Sequence, residues 1–116
     1  MFHIEMEFVR GMLFVRLDGV LSARTTEELR CVLDRMIHGE GIRYFVINLE
    51  NLDYMDDVGL QSIMDHYFDI VLHDGKLVVC GKDGHVKIKA NTKLIENFHQ
   101  IESSRNELEA CRLIHI

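Results

Sequence analysis

The sequence predicts an α/β domain: a mixed sheet of four to five strands that opens on an antiparallel hairpin, continues by parallel crossovers and carries about four helices. Three observations predict it. Residues 2–18 hold two period-two segments separated only by Arg10-Gly11. Two stretches of helical apolar periodicity each lead into a short run rich in valine or isoleucine. There is no proline, and eight glycines stand singly between these segments, so nothing divides the chain into parts.

Phe2, Ile4, Met6 and Phe8 alternate with His3, Glu5 and Glu7, the pattern of a strand with one wet face. A turn at Arg10-Gly11 returns the chain into a second strand, Met12 to Asp18, and so short a connection forces an antiparallel pair. Ser22 is placed to cap a helix whose first turn holds Glu27 and Glu28. Leu29, Val32, Leu33, Met36 and Ile37 follow at the spacing of a helix buried on one face, and Gly39 and Gly41 stop it.

Arg43 to Leu49 reads as an apolar strand for the middle of a sheet. A loop from Glu50 to Asp56 is expected next. It leads into a second helix in which Leu60, Ile63, Met64, Tyr67, Val71 and Leu72 share a face, closed by Gly75. Lys76 to Cys80 is a fourth strand. Two strand–helix–strand units in succession imply parallel crossovers. Residues 85–91 fit a short helix or an extended piece equally. Phe98 to Ile101 is assigned to an edge strand, and Ser103-Ser104 with Glu107 to a capping box for a last helix, Arg105 to Ile114.

A chain of 116 residues has the size of one domain, taken here as residues 1–116. Its apolar runs reach four or five residues, against the ~20 needed to cross a bilayer, so no membrane association is expected. The N-terminus lacks the pattern of a secretion signal, which makes the cytoplasm the expected compartment. Cys31, Cys80 and Cys111 are odd in number and far apart, which fits reduced thiols better than disulfides or a zinc framework. A net charge of −6 without a Lys/Arg cluster argues against nucleic acid. The expected partner is therefore a protein.

The segment that points to function is Leu52-Asp53-Tyr54-Met55-Asp56-Asp57-Val58-Gly59-Leu60, between an inner strand and the start of a helix. Open α/β sheets place their sites at the carboxyl ends of strands. A helix start adds free N–H groups and partial positive charge, which suit a carboxylate or phosphate. Two aspartates there also suffice simply as caps.

Residues Asn48 to Leu60 resemble the signature of STAS domains, in particular sporulation-type anti-sigma factor antagonists, which runs apolar-Asp-Ser-x-Gly-Leu/Val. Arg16-Leu17-Asp18-Gly19-Val20-Leu21 and Gly75-Lys76-Leu77-Val78-Val79-Cys80 add to the likeness. The resemblance implies the STAS fold, no enzymatic activity and no cofactor or metal. It implies a switch: the unphosphorylated antagonist binds an anti-sigma factor that is also a serine kinase, and phosphorylation of the signature serine ends that binding.

Carried onto this chain, the signature aspartate is Asp56 and its glycine Gly59. The binding surface would also use Tyr54, Met55, Val58, Val20, Leu21 and Ser22. The serine is missing: Asp57 occupies its position, and no serine or threonine lies between Asn51 and Leu60. Either Asp57 supplies a permanent charge resembling the phosphorylated state in part, or the surface serves a partner that accepts an acid. An alternative is a STAS scaffold subunit, bound to other STAS proteins and without a phospho-switch. The C-terminal third departs from the family, with Asn91-Thr92-Lys93-Leu94 the nearest match to its usual turn.

Two enzyme-like readings compete. A receiver domain also has an acceptor aspartate after a central strand, but it needs a magnesium-binding acidic pair after its first strand, which Asp18-Gly19 does not supply. His66, Asp69 and His73 fall on one face of the second helix and have metal-ligating chemistry. A solvated polar face accounts for them as well.

Overall fold

The computed structural model describes residues 1–115. Its order is β1 (Phe2–Val9), β2 (Met12–Leu21), α1 (Thr26–Asp34) with a π-helical turn Arg35–Gly39, β3 (Tyr44–Asp56) and α2 (Asp57–Leu72). Then come β4 (Lys76–Cys80), β5 (Lys87–Lys89), α3 (Thr92–His99), β6 (Ser103–Ser104) and α4 (Glu107–Ile114). The strands run β1-β2-β3-β4-β6 across the sheet, and β5 pairs with the far end of β3. β1 and β2 are antiparallel; every other pair is parallel. The α/β class, the hairpin and the parallel crossovers are as the sequence predicts, with two very short strands beyond those it shows.

Both faces of the inner strands are covered, which is why β2 to β4 read as nearly unbroken apolar runs. One face packs Leu13, Val15, Phe45, Ile47 and Val79 against Leu29, Leu33, Leu60, Ile63 and Phe98 of α1, α2 and α3. The other face packs Met12, Phe14, Val46, Val78 and Cys80 against Ala110, Cys111, Leu113 and Ile114 of α4. Burial pushes the Cys80 thiol up to about 12, so it remains a protonated core residue. Arg16, on the α4 side of β2, holds Glu107 through two hydrogen bonds of 2.7 and 2.8 Å, and Asn48 donates a third to the same carboxylate at 2.8 Å.

Five expectations are corrected. Residues 50–56 are not a loop but the second half of β3. This strand carries two more residues than β2 opposite it, with register shifts between Arg16/Asp18 and Gly19/Val20. The extra residues place Leu49, Leu52 and Met55, three apart, all fully buried, so the period of two that marks a strand is lost. Ser22 does not cap α1: the cap position is Thr25, whose hydroxyl accepts from the Ser22 N–H at 2.9 Å and donates to the Val20 carbonyl at 3.0 Å.

On α2, Val71 and Leu72 are 46% and 80% exposed, and Ile70 and His66 are buried in their place. Phe98 lies in the last turn of α3 and is no strand residue; the edge strand is Ser103–Ser104. The last helix is capped by Asn106, which accepts from the Glu109 N–H at 2.9 Å.

The C-terminal third is organised around Lys82. Its ammonium is buried over the Phe98 ring and donates to the carbonyls of Phe98, in the last turn of α3, and Ile101, just beyond it. Burial lowers its pKa to about 8.

Candidate functional site

α2 begins where β3 leaves the sheet, so its free N–H groups lie beside the carboxyl ends of β2, β3 and β5. The two adjacent aspartates there have different tasks. Asp56 is the cap: Oδ1 accepts from the Gly59 N–H at 2.8 Å and Oδ2 from the Ala23 N–H at 3.3 Å. One carboxylate thus fixes both the helix start and the turn after β2. Asp57 is the first residue of α2 and is exposed; its Oδ1 accepts from the next N–H, that of Val58, at 2.9 Å. Among the described residues its second oxygen has no hydrogen-bond donor.

Gly59 is required for a steric reason. A Cβ there would lie 2.4 Å from the Leu21 carbonyl oxygen, because α2 packs directly on the β2 backbone. Gly19 serves the same corner differently. It takes φ +94, and Val20 beside it donates to the Met1 carbonyl at 2.8 Å.

The expected site residues divide into two groups. Asp57 and Val58 are exposed, and Tyr54, Val20, Ser22 and Asp56 are half-buried around them. Leu21 and Met55 are fully buried: they pair across β2 and β3 and point into the core. The expectation that their side chains line the binding surface is corrected, and they shape the surface only through its backbone.

Sequence reasoning missed two flanks. Lys89 and Asn91 line a small hollow with Tyr54, Asp56 and Asp57, because β5 pairs with the end of β3. That pairing is non-local, and no local pattern announces it. Along α2 the surface continues as an open groove of about 650 Å³ towards α1, lined by Asp57, Val58, Gln61, Asp65, Glu27 and Arg30. The Arg30 guanidinium is taken up by Glu27 and by Asp34 at 3.1 Å, so the groove presents mainly acid.

His66, Asp69 and His73 do not converge. His66 is 5% exposed, and its Nδ1 sits 2.7 Å from the Ser62 carbonyl. Asp69 and His73 do meet, and His38 from the π turn joins them. His38 comes from a distant part of the chain, which is why the helical spacing of α2 did not reveal it.

A model of the STAS domain matches residues 3–108 of the chain. An anti-sigma F factor antagonist of Paenibacillus polymyxa is 39% identical over 77 residues, which span 66% of this chain and 66% of that protein. Among solved structures, the anti-sigma factor antagonist SpoIIAA in its unphosphorylated form superposes with a TM-score of 0.76 at 19% identity, covering 98% of this chain and all of that one. An anti-sigma factor antagonist from Mycobacterium paratuberculosis gives 0.78 at 15% identity, covering all of this chain and 96% of the other. At such identities these two structures speak for the fold.

Proposed function

The chain belongs to the STAS domain family, and from that premise we propose that it is a non-enzymatic, protein-binding regulator of the anti-sigma factor antagonist kind, with a fixed charge at Asp57. The observation that carries the reading is the division of labour between the two aspartates. Asp56 commits both oxygens to structure, whereas Asp57 stands exposed at the helix start with one oxygen open to a partner.

The physical logic is electrostatic. A phosphate on a serine at this place brings about −1.5 to −2 charge and three acceptor oxygens into a contact surface. Asp57 brings one charge and two oxygens and cannot be removed by a phosphatase. A partner that docks here meets a permanent acid at Asp57, the half-exposed Val58, and the acidic groove behind them. It therefore has to offer donors or a basic side chain. Serine phosphorylation is not the control of this surface; the amount or availability of the partner is.

The same residue also suits a STAS subunit held in an assembly with no switch, and one experiment separates the two. Tagged protein is used to recover partners from the source cells. The regulator reading expects an anti-sigma factor of the serine-kinase type, lost with Asp57→Lys; recovery of other STAS proteins alone, unaffected by that change, overturns it in favour of the assembly.

A further inference from the structure

We propose that His38, Asp69 and His73 form a binding site for one divalent transition-metal ion of the Zn2+ class, clasping the end of α1 to the C-terminal end of α2. The site lies about 18 Å along α2 from Asp57, at ~1.5 Å per residue, and is independent of the partner surface.

Three features of the geometry point to it. First, α1 does not end as an α-helix but widens into the π turn Arg35–Gly39, in which the Glu40 N–H donates to the Arg35 carbonyl at 3.0 Å. Such turns re-aim side chains and recur at functional sites. Here it carries His38 against α2, with Nε2 2.8 Å from Asp69 Oδ2.

Second, His73 is brought to the same carboxylate from within α2: its Nδ1 lies 3.3 Å from Asp69 Oδ1 and 2.8 Å from the Asp69 backbone carbonyl. Third, one ligand atom from each of the three residues lies within 4.8 Å of the others, and the two imidazole rings meet edge to face at 4.8 Å. A tetrahedral Zn2+ with ligands at about 2.0–2.2 Å needs them somewhat over 3 Å apart. Rotation of two partly exposed histidines closes that gap.

Two imidazoles and one carboxylate select for zinc, nickel, cobalt or copper over magnesium or calcium, which prefer oxygen-only shells. Three protein ligands leave a fourth position for water or for a side chain of a partner. His38 and Asp69 also hydrogen-bond directly, so the rival explanation is a clasp that needs no ion.

Titration of the metal-free protein with ZnCl2 near neutral pH, followed by calorimetry and by thermal unfolding, decides between them. The expected result is one Zn2+ per chain, a Tm raised by several degrees, and no response to MgCl2. CoCl2 should give the visible absorption of a four-coordinate ion. The double variant His38→Gln/His73→Gln keeps the native circular dichroism and loses affinity by at least about 10-fold, the least that even outer-shell losses cost. No saturable Zn2+ binding, an equal response to MgCl2, or undiminished binding by the double variant overturns the proposal.

Discussion

At its N-terminal end α2 is held by the backbone: Gly59 lies flat on the Leu21 carbonyl, and Asp56 ties the first turn to Ala23. At its C-terminal end Ile70 is buried and Gly75 packs on the Arg43 carbonyl, but the link to the end of α1 is made by side chains, with Asp69 and His73 reaching His38 while Phe68, Val71 and Leu72 stand 54%, 46% and 80% exposed. A site that must present a charge in one place belongs at the first end, where an error of position has no soft side chain to absorb it. The second end has room to adjust, which suits an ion.

The difference can be broken or sharpened by substitution, beginning with the largest effect. Gly59→Ala inserts a methyl group where only 2.4 Å is available to a carbonyl oxygen, and backbone has to move. A loss of about 3 kcal/mol, at the upper end of overpacking costs, is expected from urea unfolding. A loss below about 1 kcal/mol would mean that α2 is not pinned there.

Asp56→Ala removes the cap and the tie to Ala23 together and should cost about 1–2 kcal/mol, whereas Asp56→Asn keeps an acceptor at the cap and should cost less. Equal losses in the two would show that charge, and not the cap, is what matters. His38→Ala takes away a pair in which His38 is half-exposed, so without metal its cost should stay under about 1 kcal/mol. Asp57→Ser should leave the free energy of unfolding unchanged within about 0.5 kcal/mol, as for an exposed surface substitution.

How far the sequence carried the fold follows from where contacts are local. The hairpin around Arg10-Gly11, both long helices and β4 were legible because their periodicity is set within the segment itself. β3 was cut short because two register shifts space Leu49, Leu52 and Met55 in threes. Phe98 was placed on a strand because the helix that holds it, Thr92–His99, is only 8 residues long, too short for its apolar period to stand out.

The site shows the same limit. Asp56, Asp57 and Gly59 were legible from their order at a helix start. The burial of Leu21 and Met55 was not, and neither was the nearness of Lys89 or of His38 to Asp69, since each depends on a partner element far along the chain.

The central claim is that the partner surface persists at Asp57 while the serine switch is absent from it. The direct measurement is intact mass after incubation with ATP and the anti-sigma serine kinase from the same genome, for the native chain and Asp57→Ser. The account predicts that both chains bind the kinase and that only Asp57→Ser gains the mass of one phosphate. A phosphate gained equally by the native chain, or an Asp57→Ser protein that neither binds nor accepts phosphate, would contradict it.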